Sequence, residues 1–163
     1  MKALVVQSHP SHASYNEAIL QALLKSLNRC SVDVIVVRVG KGVPLEKVEF
    51  GNPDLLILVY PTWWGGYPAS LLQWIKEVLA ADKKVLSQVR RIISVTTHGS
   101  SRLVNVIQGE WGKAYTRRKI LPLCHSEAKD KWLSLYKIDR QTPESLDGFL
   151  EDVSNFFLQV TES

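Results

Sequence analysis

The chain has 163 residues, 45% of them hydrophobic and 22% charged, which suits one domain over residues 1–163 and leaves little room for a second. A formal charge of +4 and a pI near 9.1 raise the question of a nucleic-acid partner. The basic residues fall in short clusters such as Lys83-Lys84 and Arg117-Arg118-Lys119, with no helix-turn-helix, zinc-knuckle or aromatic-basic signature, so that class is excluded and an anionic small molecule is favoured.

Ala3-Leu4-Val5-Val6 opens the chain as a continuously apolar run, the pattern of a strand covered on both faces. After a polar stretch from Ser8 to Asn16, Ile19, Leu20, Leu23, Leu24 and Leu27 share one helical face. Val32 to Val37 reads as a second strand. Gly40 to Pro53 reads as irregular, with at most a helical turn near Leu45 to Val48. The third strand spans Asp54 to Tyr60 and ends at Pro61. A glycine-rich aromatic loop then leads into a helix from Pro68 to Ala81, with proline at its first position.

Arg91 to Thr96 is the fourth predicted strand, closed by Thr97 to Ser101, with Ser101 capping a helix that begins near Arg102. Helical pieces continue to Leu121, broken between Gly109 and Gly112. Lys131 to Ile138 alternates as a fifth strand, with Trp132 and Leu133 on opposite faces. The last helix is capped by Thr142, starts at Pro143 and carries a stripe from Leu146 to Val160.

Five strands alternating with helices predict an α/β three-layer sandwich around a five-stranded parallel sheet, and right-handed crossovers favour the order 2-1-3-4-5. In such sheets ligands bind beyond the carboxyl ends of the strands. Cys30 and Cys124 form no C-x-x-C pair, and no cluster has metal-ligand spacing, so a metal is not expected. The longest apolar run, Leu55 to Tyr60, is too short to span a bilayer. Free thiols and the absence of a signal-peptide pattern point to the cytoplasm and to no membrane insertion.

Three loops meet at the carboxyl edge. Ser8 to Asn16 is rich in hydroxyl and amide groups at a helix amino terminus, either a phosphate cradle or a simple cap by Ser14. It is neither a P-loop nor a G-x-G-x-x-G turn. In Tyr60 to Pro68, two adjacent tryptophans stand beside Gly65 and Gly66. One indole is expected to pack inward and the other to line a cleft, with the glycines letting backbone approach a flat ligand; the alternative is that both fill the core or a dimer interface. The third loop offers Thr97, His98 and Gly99.

The stretches Ser8-His9-Pro10 to Ser14-Tyr15-Asn16, Tyr60-Pro61-Thr62-Trp63-Trp64-Gly65-Gly66-Tyr67-Pro68-Ala69, and Thr96-Thr97-His98-Gly99-Ser100-Ser101 resemble the flavodoxin-like NAD(P)H:quinone oxidoreductases of the flavodoxin-2 type. The resemblance implies a flavin, FMN or FAD, with its phosphate near His9, Ser14, Tyr15 and Asn16. It places the ring against Pro61, Thr62, Trp63 and Trp64, and Thr97, His98 and Gly99 near the ring's pyrimidine side. It implies NADH or NADPH as donor, a quinone or similar small-molecule acceptor, ping-pong hydride transfer and a homodimer. The tyrosine and histidine that assist hydride transfer in animal quinone reductases have no counterpart after Ser101, so His98 is the substitute catalytic candidate. The competing readings are a flavin- or nucleotide-binding regulatory subunit of a potassium-efflux system and a one-electron carrier; the high pI speaks against the second.

Overall fold

The computed structural model describes residues 1–11, 13–40, 51–82 and 84–162. Five parallel strands, β1 (Lys2–Ser8), β2 (Asp33–Val39), β3 (Leu55–Thr62), β4 (Arg91–His98) and β5 (Lys129–Leu135), lie in the order β2-β1-β3-β4-β5. The period of two along the central strands sorts their side chains into two cores. Ala3, Val5, Ile57 and Val59 meet α1 (Tyr15–Arg29) and α5 (Pro143–Glu162) on one face. Leu4, Val6, Leu56, Leu58 and Tyr60 meet Leu71, Trp74 and Ile75 of α2 (Ala69–Ala81) on the other. The expected sandwich and strand order are both present.

The differences lie at element ends, and most have a physical reason. β3 continues through Pro61, which pairs in register with Thr97 of β4. Pairing of β3 with β1 stops at Val59, so beyond that point one side of the strand carries no ladder, the kind of position where a missing proline donor is tolerated. β4 likewise extends through Thr97 and His98, which the sequence reading placed in a loop. Pro68 is the residue before α2 rather than its first member. β5 starts two residues early, at Lys129, because its pairing with Arg91 of β4 sets the register while its charged edge positions conceal it from hydropathy. Trp132 and Leu133 do enter opposite cores. Residues 41–50, including the turn predicted near Leu45, lie outside the described residues. Among the described residues no helix is long and apolar enough to cross a membrane.

Two short helices, α3 (Arg102–Ile107) and α4 (Trp111–Tyr115), follow β4. Ser101 caps α3 as expected, accepting from the Val104 N–H, and Thr142 accepts from the Ser145 N–H at the start of α5.

Candidate functional site

The carboxyl ends of β3 and β4 open into a cleft of about 380 Å³. Six of the sequence-predicted site residues line it: Pro61, Thr62, Trp63, Trp64, Thr97 and Gly99. Its remaining wall comes from residues the sequence reading did not select, chiefly Ser100, Asn105, Gln108 and Asp139. In the sequence Asn105 is only a polar break in an apolar run, and its burial is what singles it out. It sits in Leu103-Val104-Asn105-Val106-Ile107, where the asparagine is buried and all four apolar neighbours are exposed. This inverts the usual pattern and marks a polar residue held by something specific.

The aromatic loop is built differently from the expectation. Trp63 and Gly66 exchange backbone hydrogen bonds at 3.2 and 3.0 Å, closing a two-residue turn with Trp64 at φ +52 and Gly65 at φ +76. Two positive φ values describe a type I′ turn, a geometry that favours Asn-Gly. Neither indole packs inward: Trp63 is 48% exposed and Trp64, at the tip, 86%. Of the two glycines, Gly65 lines the cleft as expected, whereas Gly66 does not. A Cβ on Gly66 would stand 1.7 Å from the Trp111 ring, so Gly66 exists to admit that indole. Trp111 in turn donates from Nε1 to the Trp64 carbonyl at 3.0 Å, and the Gly112 N–H reaches the Gly65 carbonyl at 3.3 Å. A helix far along the chain thus holds the turn in place and leaves its two tryptophans outside.

The described residues of the first loop do not line the cleft but stand beside it on the same sheet edge. Ser14 is the N-cap of α1, accepting from the Glu17 N–H. The His9 ring accepts from the Ser11 N–H at 3.0 Å. Tyr15 points away, donating its hydroxyl to the Leu146 carbonyl at 2.6 Å; burial, with the nearby Asp147 charge, pushes its pKa up to about 12. Asn16 is the link to the cleft. It is buried, donates from Nδ2 to Thr97 Oγ1 at 3.2 Å, and its Oδ1 has no partner among the described residues. The first turn of α1 is anchored by Glu17, which Arg38 of β2 grips through both guanidinium nitrogens. Those hydrogen bonds hold the Glu17 carboxyl down at about 2.

His98 is 7% exposed and is absent from the cleft wall. Its Nδ1 lies 2.8 Å from Asn105 Oδ1, and its ring stacks on Tyr136 at 4.4 Å between centroids. Burial lowers its pKa below the usual imidazole value, so the ring is neutral near pH 7. Thr62 and Thr96 share a hydroxyl hydrogen bond of 2.6 Å beside it. The arrangement is a polar floor of hydroxyl and amide groups under an apolar lip of two indoles.

Comparison with known proteins follows the same outline. A family model described as a flavodoxin-like fold, flavodoxin-2, matches residues 1–120. Rat NAD(P)H dehydrogenase [quinone] 1 is 26% identical over 129 residues, covering 70% of this chain and 46% of that protein, so the match spans less than half of the relative's length. Among solved structures, an NAD(P)H:quinone oxidoreductase from Methanothermobacter marburgensis superposes with a TM-score of 0.78 at 16% identity, covering 98% of this chain and 96% of the other. An FMN-dependent NADH-azoreductase from Bacillus anthracis, in complex with FMN, gives 0.76 at 11% identity, with 98% and 99% covered. At these identities the likeness is one of fold.

Proposed function

Because the chain belongs to the flavodoxin-2 family of flavodoxin-like fold, we propose that it is a flavin-dependent NAD(P)H oxidoreductase that reduces quinones or similar small acceptors. The observation that carries this reading is the cleft itself. Two exposed indoles, one at a left-handed backbone position, overhang a floor of Thr62, Thr97, Ser100 and Asn105. A planar heteroaromatic ring with an apolar face and a hydrogen-bonding edge matches that donor set, and about 380 Å³ is within the range of small-molecule sites. The unpartnered, buried Asn16 Oδ1 stands between the cleft and the α1 amino terminus, where a phosphate ester is favoured by the helix dipole. The residues present therefore fit a flavin mononucleotide. We assign FMN over FAD, in keeping with the FMN-bound structural neighbour.

When bound, the flavin supplies two-electron hydride chemistry that no side chain offers. The protein's part is binding, orientation and exclusion of water. Trp63 and Trp64 would cover the ring. Thr62 and Thr97 are held in place by Thr96 and Asn16. Ser14 and Asn16 sit at the phosphate end, with His9 bracing the loop through Ser11 and Tyr15 tying it to α5. NADH or NADPH and the acceptor use the same cleft in turn, which gives ping-pong order. The test is the visible spectrum of the purified protein before and after anaerobic NADH or NADPH. Flavin bands that bleach with a nucleotide and return with a quinone are expected. A protein that takes up neither FMN nor FAD overturns the reading.

We take the occupant of the cleft's outer rim to be a second copy of the chain. Leu103, Val106 and Ile107 of α3 are 69%, 51% and 75% exposed on the helix that supplies Asn105 to the cleft wall, and such a patch beside two exposed tryptophans supports that reading. Ile107→Asp and Leu103→Asp together are expected to convert a dimer to an 18.4 kDa species in light scattering. An unchanged dimer mass would place the interface elsewhere.

A further inference from the structure

Most polar side chains of the cleft wall already hold a partner within the protein. Thr62 shares its hydroxyl with Thr96, and Thr97 receives the Asn16 amide. Asn105 turns its oxygen to His98 and its nitrogen to Ser100 and Ser101. Two lining side chains are left over, the Gln108 amide and the Asp139 carboxylate. Among the described residues neither makes a side-chain hydrogen bond or an ion pair. Asp139 is also the one charged residue among those lining the cleft.

The chain after β5 fixes where that carboxylate stands. Lys137, at φ +53, donates its N–H to the Ser100 carbonyl at 3.1 Å. The Arg140 N–H returns to the Lys137 carbonyl at 2.9 Å, and the Gln141 side chain donates to the Tyr136 carbonyl at 2.8 Å. Tyr136 is itself stacked on His98. The turn carrying Asp139 is thus tied to the loop between β4 and α3, and its carboxylate stands over Gly99. A Cβ on Gly99 would meet Asp139 Oδ2 at 3.6 Å. Lys137 and Arg140 flank the aspartate in sequence, but neither belongs to the cleft wall.

We infer that Asp139 selects the electron acceptor by charge, so that the cleft takes neutral or cationic aromatic acceptors and rejects anionic ones. The inference rests on the oxidoreductase reading for its purpose. An ionised carboxylate has lone pairs and no hydrogen, so a group lying against it must donate or be positive. An anionic substituent there meets an unpaired like charge, and the repulsion grows where the two indoles replace water. The reacting ring of a nicotinamide donor is neutral and bears an amide N–H, so the carboxylate does not oppose it. Because Asp139 is exposed, the discrimination is about tenfold and is weakened by salt.

The test uses three naphthoquinones that share one ring system: the parent, a sulfonate and a trimethylammonium derivative. In Asp139→Asn the ratio of kcat/KM for the sulfonate to that for the parent is expected to rise about tenfold at low salt. The ratio for the cation should fall. Asp139→Glu, which keeps the charge, should retain the native order, and in the native protein added salt should raise the sulfonate ratio. A second readout needs no turnover. Titration of flavin-free protein with the sulfonate, followed by tryptophan quenching, should give a Kd about tenfold lower in Asp139→Asn than in the native chain. Ratios unmoved by Asp139→Asn, or moved equally by Asp139→Glu, overturn the assignment. Equal changes for all three quinones trace to the flavin rather than to acceptor charge and overturn it too. If the native protein reduces no quinone but the binding difference is present, the oxidoreductase reading fails and charge selection by Asp139 stands.

Discussion

Gly66→Ala is expected to cost about 3 kcal/mol of stability and to abolish flavin uptake, a large effect for one methyl group. The new Cβ would lie 1.7, 2.1 and 2.3 Å from three carbons of the Trp111 ring, and no rotation of alanine relieves it. Trp111 is tied where it stands. Its Nε1 is bonded to the Trp64 carbonyl, its ring stands edge-on to Tyr67 at 6.0 Å, and its neighbour Gly112 lies so close to Gly66 that a Cβ there would meet the Gly66 Cα at 3.3 Å. Either α4 lifts off or the turn carrying Trp63 and Trp64 is displaced. Urea unfolding followed by tryptophan fluorescence gives the stability loss. Combining the change with Trp111→Ala should recover part of it, because the two residues compete for one volume and their effects are not additive. A Gly66→Ala protein within about 0.5 kcal/mol of the native one would mean that the loop is not braced as described.

The same pair of residues shows where sequence reasoning reached and where it stopped. The sheet order was legible because Leu4-Val5-Val6 and Leu56 to Val59 are apolar at every position, which only a doubly covered parallel strand requires. Ser14, Ser101 and Thr142 were legible as caps because a hydroxyl before a periodic apolar segment has a local use, and each makes that bond. Gly66 was read for its own flexibility, and nothing within its loop says that it faces Trp111, 45 residues later. Trp63 and Trp64 were expected to divide between core and cleft on hydropathy. Hydropathy is blind to a turn whose backbone points both indoles outward. His98 was picked from its place at a strand end; that it lies behind the cleft, clasped by Asn105 and covered by Tyr136, depends on α3 and on the chain after β5 folding back together.

Trp64 is the residue at which stability and binding are set against each other. At φ +52 a bulky side chain is an outlier, and the left-handed region costs a non-glycine residue roughly 1–2 kcal/mol. An indole 86% exposed returns little of that through burial. The fold alone therefore supplies no reason for tryptophan here, and a ligand covering the indole does. Trp64→Asn gives the turn the Asn-Gly pair that type I′ geometry favours, and it leaves the Trp63–Gly66 and Trp111–Trp64 backbone contacts available, since both use main-chain atoms of the turn. The expected outcome is a protein more stable by about 1 kcal/mol whose FMN affinity falls about tenfold with the lost aromatic face, a loss of about 1.4 kcal/mol. Denaturant midpoints and FMN titrations on the same preparations read the two signs separately. Equal stability with intact FMN binding would show that the turn is unstrained and that the cleft's partner does not touch its tip. A gain in one and a loss in the other would identify Trp64 as a residue kept for its contact with ligand, at the expense of the turn that carries it.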